Sequence, residues 1–198
     1  MAKTWKDEDI SLDPIKDQTI AVIGYGIQGD AQANNMKDSG LKVIVGLREG
    51  SPTWNKAKED GHQVMSVADA TKQADIVHIL LPDMVQAKVY KEEIGPNLSE
   101  GNALSFSHAA AIYWKWIDAP ENVDLIMVAP KGPGSKVRET YLQNFGTPSI
   151  VAVERDKTGK AWDRTLGIAK AIGSARAGLI QTTFKEEVET DWFGEQAD

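Results

Sequence analysis

The chain has 198 residues, of which 41% are hydrophobic and 26% charged, a balance typical of a globular protein with one well-buried domain. Its formal net charge of −7 argues against nucleic acid as a main partner, because phosphate backbones are bound by basic faces. The absence of cysteine excludes disulfides and thiolate chemistry. No apolar run is long enough to cross a membrane and the start is too charged for a signal peptide, so we expect a cytoplasmic protein without a membrane partner.

Short apolar segments rich in Val and Ile alternate with longer amphipathic segments along the chain. The apolar segments predict strands at residues 19–24, 42–46, 76–82, 103–106, 124–130 and 149–153, with a weaker candidate at 62–65. Strand–helix alternation with continuously apolar strands is typical of a parallel sheet that is covered on both faces. The expected fold is therefore α/β, a doubly wound and mostly parallel sheet of the Rossmann type.

Three of the intervening segments carry helix-start signals. Ser51 is followed by proline, which favours an N-cap there, and Ser66 has an acidic residue three positions later, as in a capping box. Asp83 can cap the next helix. The predicted helices cover residues 53–60, 84–93, 135–143 and 160–172, with one more after Ser66.

The last segment, residues 184–196, is acidic and has a helical pattern. Phe184, Val188 and Trp192 are spaced four residues apart and form one apolar stripe. Because the sequence contains no later element to cover this stripe, we expect the helix to begin a further domain that is missing. The expected division is a nucleotide-binding domain over residues 1–181 and a short C-terminal segment over residues 182–198.

A G-x-G-x-x-G motif runs from Gly24 to Gly29, between a predicted strand and a helical segment. In that context Gly24 permits a tight turn, Gly26 lets the backbone approach a pyrophosphate, and Gly29 lets helix and strand pack closely. The start of the helix adds free N–H groups and a positive dipole. The motif favours dinucleotide binding over the alternative of a structural turn.

The residues after the second strand bear on which dinucleotide is bound. A protein that binds NAD usually has an acidic residue there for the ribose hydroxyls. This chain instead has Arg48, and the Ser51 and Thr53 hydroxyls follow, a set that suits a 2′-phosphate. Glu49 is an argument for NAD, and a solvated turn with a helix cap is the other alternative; we favour NADP.

These residues resemble the N-terminal domain of class I ketol-acid reductoisomerase. The matching stretches run from about Lys6 to Gln196 and are GYGIQG, DSGLKVIVGLREGS, ILLPDMVQ, YKEEIGPNL, SFSH, MVAPKGPG and the long, specific TTFKEEVETDWFGEQ. That family uses NADPH and Mg²⁺ to convert 2-acetolactate or its ethyl homologue to a 2,3-dihydroxy acid by alkyl migration and hydride transfer. The resemblance implies NADP(H) and Mg²⁺ as cofactors and a small 2-keto-3-hydroxy acid as substrate.

The resemblance also implies roles for individual residues. His108 takes the position of the active-site histidine, Lys131 is the lysine near the substrate, and Asp191 and Glu195 are metal ligands. The last two stand four residues apart on one helix face and offer the oxygen ligands that Mg²⁺ prefers, although a solvated acidic face is the commoner fate of such a pair. The expected cofactor-binding residues are Gly24, Tyr25, Gly26, Ile27, Gln28, Gly29, Arg48, Ser51, Thr53, Asp83, Met84, Val85, Gln86 and Gly134.

The chain departs from the family pattern at the cofactor. Ile27 stands where the family usually has a small hydroxyl residue, so a hydrogen bond to phosphate is lost. Asp30 stands where the family often has histidine, and it adds negative charge in the first turn of the helix. A repulsion of about 1 kcal/mol is expected at such a partly exposed site, which weakens NADPH binding.

A second departure follows His108, where the family has a Gly-Phe-Asn-Ile-His-Phe type of loop. Residues 109–116 here read AAAIYWKW, which favours a helix. Tyr113, Trp114 and Trp116 then either belong to the core or form an exposed patch through which copies of the chain associate.

Two hypotheses about function follow. In the family a helical second domain supplies further metal-binding glutamates and a substrate serine, so the resemblance implies that residues 182–198 begin a missing all-helical domain. We then expect an NADPH-binding domain that catalyses little alone. The alternative is an engineered scaffold built on this domain, which binds another ligand or self-associates without catalysis.

Overall fold

The computed structural model describes the backbone of residues 2–197 and the side chains of residues 2–191. Within this part of the chain, nine strands form a single sheet. The strands are β1 (Thr4–Trp5), β2 (Thr19–Ile23), β3 (Lys42–Gly46), β4 (Gln63–Met65), β5 (Ile76–Ile79), β6 (Ala103–Phe106), β7 (Asp124–Pro130), β8 (Ser149–Arg155) and β9 (Leu179–Gln181).

The sheet order is β1-β9-β8-β7-β6-β5-β2-β3-β4. Six strands that are neighbours in the sheet, β7, β6, β5, β2, β3 and β4, are parallel to one another. β8 is antiparallel to β7, and β1 is antiparallel to β9. The expected doubly wound, mostly parallel sheet is confirmed, and so are all seven predicted strands. The short strands β1 and β9, of two and three residues, were not predicted from the sequence.

Hydrophobic side chains cover both faces of this sheet. Ile20 and Val22 of β2 belong to one buried cluster, whereas Ala21 and Ile23 of the same strand belong to the other. Because successive residues of a strand point to opposite faces, this alternation places one cluster on each face. It explains why the central strands are continuously apolar in the sequence.

Helices connect the strands, and one predicted cap is confirmed. The helices are α1 (Ile27–Asp38), α2 (Trp54–Glu59), α3 (Val67–Gln73), α4 (Asp83–Val89), α5 (Ala110–Tyr113), α6 (Gly134–Leu142), α7 (Ala161–Ala171) and α8 (Phe184–Ala197). Ser66 caps α3 by accepting a hydrogen bond from the Asp69 backbone N–H at 3.1 Å. The Asp69 carboxylate in turn accepts the Ser66 hydroxyl at 2.8 Å, so it does not complete the capping box at the backbone.

Two other predicted caps were wrong. The N-cap of α2 is Thr53 rather than Ser51, because residues 51–54 first form a turn in which the Trp54 N–H bonds the Ser51 carbonyl at 3.0 Å. Asp83 is the first residue of α4 and Pro82 is its N-cap, since the extended backbone of Pro82 leads directly into the helix. The predicted helix over 84–93 continues as a π-helical turn at Tyr90–Ile94.

The helix expected over residues 109–116 is shorter than the composition suggests. Only Ala110–Tyr113 are helical, and Lys115 has φ 56°, a left-handed conformation that ends the helix. Ala109, Ala110 and Ala111 are buried, so close packing selects these small residues.

The expectation that the C-terminal apolar stripe lacks a cover is wrong for Phe184 and Val188. Both are buried in the cluster on one face of the sheet, and the Phe184 ring meets the Phe106 ring edge to face at 6.5 Å. Trp192 lies outside the described side chains. The first turns of α8 are therefore part of this hydrophobic core.

A buried ion pair anchors α7 at the amino end of β7. Nη1 of Arg164 lies 2.8 Å from Oδ2 of Asp124, and Asp124 has no exposed surface. The backbone N–H groups of Lys157 and Thr158 also donate to Asp124.

Among the described residues, no helix has the length and hydropathy needed to cross a bilayer.

Candidate functional site

The candidate site lies where the strand order reverses. β2 is followed along the chain by β3 on one side, while β5 pairs on its other side, so the connections leave this point in opposite directions. Ligands of open α/β sheets bind at such switch points, beyond the carboxyl ends of the strands. A cavity of about 700 Å³ opens here. The expected cofactor residues that line it are Gly24, Tyr25, Gly26, Ile27, Gln28, Arg48, Ser51, Thr53 and Val85.

The three glycines of the motif differ in their surroundings. Gly24 has φ 99°, and a Cβ there would lie 2.9 Å from the Leu80 carbonyl oxygen. A Cβ on Gly29 would lie 2.2 Å from the Gly24 carbonyl oxygen, so the loop itself, more than the strand, excludes a side chain. A Cβ on Gly26 would meet nothing within 4 Å. Gly26 is also the N-cap of α1, so the loop is open to a ligand where the first N–H groups of the helix lack intrahelical partners.

The residues expected to read a 2′-phosphate meet at the same cavity. Arg48 is exposed there, and the Ser51 hydroxyl is buried without a hydrogen-bond partner among the described residues. A buried hydroxyl without a partner is unfavourable unless a ligand satisfies it. Glu49 is exposed and does not line the cavity. This set of donors fits a phosphate group.

The negative charge of Asp30 is partly offset by a lysine of α2. Nζ of Lys56 lies 2.7 Å from Asp30 and 2.9 Å from Asp60. Asn34 donates to Asp30 at 2.8 Å and to the Tyr25 hydroxyl at 2.9 Å, and Tyr25 donates to Asp60 at 2.8 Å. Burial opposes the charge of Lys56, but its hydrogen bonds to the two carboxylates prevail and raise its pKa. Lys56 therefore offsets part of this negative charge, which the expectation of repulsion by Asp30 did not take into account.

The apolar departure at position 27 remains. The Ile27 side chain is 71% exposed and lines the cavity. It offers no hydrogen bond, so phosphate recognition in this loop depends on backbone N–H groups. Met84 is 95% exposed and is not among the described residues that line this cavity.

A smaller cavity of about 200 Å³ adjoins the glycine loop on the side of His108. Gln28, Ser107 and His108 line it, together with Asp83 and Gln86. The Gln86 side chain is anchored by donating to the Leu81 carbonyl at 2.8 Å, but its Oε1 is buried without a partner among the described residues. Gln86 thus borders this cavity with one buried, unpaired acceptor atom.

Gly134, at the start of α6, contacts the glycine loop itself. A Cβ there would lie 2.2 Å from the Ile27 carbonyl oxygen and 2.8 Å from the Gln28 nitrogen. The contact explains a glycine at this position by close approach of the two backbones. Gly134 and Gly29 thus support the loop from outside the cavities.

Beside the smaller cavity, His108, Lys131 and Asp191 come together. Lys131 Nζ lies 3.4 Å from an oxygen of Asp191, and His108 Nδ1 lies 3.6 Å from the other. Glu187, which was not among the residues predicted from the sequence, lies at the centre with 1% exposure. Its carboxylate is 3.1 Å from His108 Nδ1 and accepts the Ala109 N–H at 3.0 Å.

The carboxylates determine the electrostatics of this cluster. The hydrogen bond with Glu187 raises the pKa of His108; burial opposes the shift, while the negative charges of Glu187, Asp83 and Asp191 add to it. Ligand atoms of His108, Glu187 and Asp191 lie within 4.8 Å of one another. The carboxylate oxygens of Glu187 and Asp191 are the type of ligand that divalent cations such as Mg²⁺ prefer. The side chain of the expected ligand Glu195 lies outside the described residues.

Of the residues near the site that were not predicted, some carried a signal in the sequence and others did not. Glu187 precedes Asp191 by four residues, so the spacing that relates Asp191 to Glu195 also reaches it. His78 is a titratable residue within an apolar strand. Lys56 reaches Asp30 from another helix, 26 residues away in the chain, and has no local signature.

Comparisons with known proteins agree with this geometry. The family model described as acetohydroxy acid isomeroreductase, NADPH-binding domain, matches residues 14–178. The NADP(+) ketol-acid reductoisomerases of Nitrosopumilus maritimus and Cenarchaeum symbiosum are 86% and 78% identical over all 198 residues, which span 60% of each relative. The solved structure of an NADH-preferring ketol-acid reductoisomerase from an uncultured archean is 47% identical. It superposes with a TM-score of 0.95 over 98% of this chain and 60% of that one.

Proposed function

Since the chain belongs to the acetohydroxy acid isomeroreductase (ketol-acid reductoisomerase) family, as its NADPH-binding domain, we propose that the cavity at the glycine loop holds NADPH. The observation that carries this proposal is the buried, unpartnered hydroxyl of Ser51 beside Arg48. In the proposed complex this hydroxyl and the Arg48 guanidinium donate to the 2′-phosphate, and Thr53 lies beside them.

The same proposal orients the rest of the cofactor. The pyrophosphate lies at Gly26, where the N–H groups at the start of α1 donate to it. The nicotinamide then extends to the smaller cavity, towards His108, with Asp83 and Gln86 at its border. Gly29 and Gly134 support the loop without contacting the cofactor.

For the whole enzyme, we propose that Asp191 and Glu195 hold Mg²⁺ beside a small 2-keto-3-hydroxy acid. The metal would polarise the ketone and stabilise the alkoxide charge that develops during alkyl migration. Lys131, whose Nζ lies 3.8 Å from Glu187 and 3.4 Å from Asp191, offsets part of the carboxylate charge and would contact a substrate held beside Asp191. Glu187 holds His108 in place and keeps it protonated over a wider pH range.

The chain spans about 60% of the length of the relatives that it matches, so we assign this activity to a protein of their full length. Mg²⁺ requires near-octahedral oxygen coordination, and the described cluster supplies only some of the ligands. We expect the present chain to bind the cofactor and to turn over little substrate alone.

Calorimetric titrations with NADPH and NADH test the cofactor assignment. We expect tighter binding of NADPH, and we expect Arg48→Gln to remove most of that preference while leaving NADH affinity unchanged. The NADH preference named for the solved relative makes this comparison informative. Absence of binding by either cofactor would contradict the proposal, and equal affinity for both would contradict the 2′-phosphate assignment.

One observation favours a second candidate, a scaffold that self-associates. Trp116 is 50% exposed and lines a cavity of about 1030 Å³ together with Tyr90 and Pro120. Exposed tryptophan beside a cavity is typical of an interface. Tyr113 lies nearby and donates to Glu189 at 3.1 Å, and Trp114 is 45% exposed. If copies associate here, dilution changes the molecular mass and the Trp emission together; a monomer with constant emission argues against it.

A further inference from the structure

A chain of buried polar side chains leads from the middle of the sheet to the glycine loop. His78 of β5 and Gln32 of α1 are both fully buried, and His78 Nε2 lies 2.9 Å from Gln32 Oε1. On its other side, His78 Nδ1 lies 2.8 Å from the Ser105 hydroxyl of β6. Gln32 Nε2 donates to Gln28 Oε1 at 3.0 Å and to the Ser107 hydroxyl at 3.1 Å. We call these five residues the polar relay.

Each hydrogen bond of the polar relay has a fixed direction. Gln28 donates to the Gly132 carbonyl at 3.0 Å, and Ser107 donates to the Val128 carbonyl at 2.9 Å. Because carbonyls only accept, the remaining acceptor atoms of Gln28 and Ser107 must both face the amide nitrogen of Gln32. Gln32 Oε1 therefore points to His78.

Matching donors to acceptors in these hydrogen bonds also assigns the tautomer of His78. Since Gln32 Oε1 can only accept, His78 carries its proton on Nε2 and accepts the Ser105 hydroxyl at Nδ1. Burial lowers the pKa of His78 to about 4, although an interaction with the Ser105 backbone opposes the shift. The ring is thus neutral near pH 7 and supplies the one donor and one acceptor that its neighbours require.

The polar relay ends at the proposed nicotinamide side of the site. Gln28 and Ser107 both line the smaller cavity beside His108, with Gln32 behind them. Through the Gly132 carbonyl, Gln28 also ties the glycine loop to the residue after Lys131. The relay thus joins the cofactor loop to the loop that carries the lysine of the carboxylate cluster.

We propose that Gln32 and His78 are positioning residues, which hold Gln28 and Ser107 in place for the nicotinamide half of NADPH. This inference rests on the proposed NADPH site. The adenosine half lies at Arg48 and Ser51, which have no hydrogen bond to the relay among those described. Removal of the relay therefore weakens the nicotinamide half of the site and leaves the adenosine half intact, because preorganisation is lost only where the relay acts.

The test compares NADPH with adenosine 2′-monophosphate, which contains only the adenosine half. Gln32→Met keeps the volume of the side chain and removes its donors, and His78→Met removes the link to Ser105. For both variants we expect roughly tenfold weaker NADPH binding by fluorescence titration, the effect of losing a buried hydrogen-bond partner. The affinity for adenosine 2′-monophosphate, followed by NMR chemical shifts, is expected to stay unchanged.

Thr165→Val is the matched control. It removes another fully buried hydrogen bond, from Thr165 to the Ala161 carbonyl of α7, and no hydrogen bond among the described residues joins Thr165 to the relay. We expect it to change neither affinity. If a methionine variant fails to fold, Ser105→Ala interrupts the relay at its far end and is expected to weaken NADPH binding about threefold.

The outcomes separate this inference from the proposed function. Unchanged NADPH affinity in the variants, or equal losses for both ligands, would overturn the positioning role while the cofactor site stands. A wild-type chain that binds adenosine 2′-monophosphate but not NADPH would overturn the positioning role as well. Failure of the wild-type chain to bind either ligand would overturn the proposed cofactor site and the inference together.

Discussion

The ammonium group of Lys56 lies 2.7 Å from the Asp30 carboxylate and thereby joins α2 to the first turn of α1. The two helices belong to different parts of the proposed cofactor site, since α2 follows the 2′-phosphate segment and α1 begins at the glycine loop. The pair offsets negative charge in the first turn of the helix that begins at the glycine loop. The acidic residue at position 30 is therefore compatible with an anionic ligand.

Lys56→Met tests this compensation. With Lys56 removed, Asp30 and Asp60 keep their charge without a partner, and we expect NADPH affinity to fall roughly two- to fivefold, the size of effect that exposed ion pairs produce. The loss should shrink at high salt because exposed charges are screened. Titrations at low and high ionic strength measure both effects.

Two further variants control for the loss of a lysine. Lys58→Met removes the same type of side chain from α2, where Lys58 Nζ lies over the Trp54 ring at 5.4 Å, and should have no effect. Asp30→Asn added to Lys56→Met should restore the affinity. If the double variant binds as weakly as Lys56→Met, the charge of Asp30 is not the cause.

The contrast between Gly26 and Gly29 gives a second prediction. Gly29→Ala places a methyl group 2.2 Å from the Gly24 carbonyl, so we expect it to lower the free energy of unfolding by roughly 1–3 kcal/mol, as overpacking does. Gly26→Ala meets nothing within 4 Å and should lower it by at most about 1 kcal/mol. Its methyl group stands where the cofactor approaches, so NADPH affinity should fall at least about tenfold.

Denaturant titration and NADPH titration of the two variants measure these effects. The two variants should differ in their main effect: Gly26→Ala should weaken NADPH binding with little loss of stability, whereas Gly29→Ala should mainly lower stability. A Gly26→Ala variant that binds NADPH like the wild-type chain would show that the cofactor does not approach the loop at this residue.

The burial of His78 gives a third prediction, on pH. Its pKa is lowered from 6.5 to about 4 by burial, so the unfolded chain takes up a proton in a range where the folded chain does not. Stability from this residue is therefore present above about pH 6.5 and is lost as the pH falls towards 4. Relative to His78→Met, the wild-type chain should lose roughly 2 kcal/mol between pH 7.5 and pH 5.

The measurement is denaturant unfolding of both proteins across this pH range. The carboxylates and His108 titrate in both proteins, so their contribution cancels in the difference. A constant difference between wild type and variant would mean that His78 binds protons alike in the folded and unfolded chain, contrary to its burial in the polar relay.

Local patterns account for the parts of this molecule that the sequence could predict. The strands, the Ser66 cap and the glycine motif depend on residues close in the chain, and all were found where their spacing placed them. The antiparallel β8 was predicted as a strand but not in its direction, because direction depends on the path of the chain between β7 and β8.

The parts that could not be predicted depend on long-range contacts. Gln32 meets Ser107 across 75 residues, and Lys56 meets Asp30 across 26. Both pairs exist only after the helices have packed on the sheet, and side chains of these types are usually solvated. The prediction that the apolar stripe beginning at Phe184 lacks a cover was wrong for the same reason, since the sheet that covers it precedes it in the chain.

The pair of Asp124 and Arg164 gives a fourth prediction, which separates stability from binding. Arg164→Met leaves a fully buried carboxylate without its cation, and breaking such a pair costs roughly 3–5 kcal/mol of unfolding free energy. Asp124 begins β7, whereas the proposed cofactor site lies at the carboxyl ends of the strands. We therefore expect the affinity for NADPH to remain unchanged below the unfolding transition.

The double variant Asp124→Asn with Arg164→Met shows whether the loss comes from an unpaired charge. The amide oxygen introduced by Asp124→Asn would still accept the backbone N–H groups of Lys157 and Thr158 but would carry no charge, so part of the lost stability should return. Denaturant unfolding of the single and double variants measures the recovery. If the double variant is less stable than Arg164→Met, the hydrogen bonds that Lys157 and Thr158 donate to the charged carboxylate outweigh the cost of its missing cation, and an unpaired charge is not the cause of the loss.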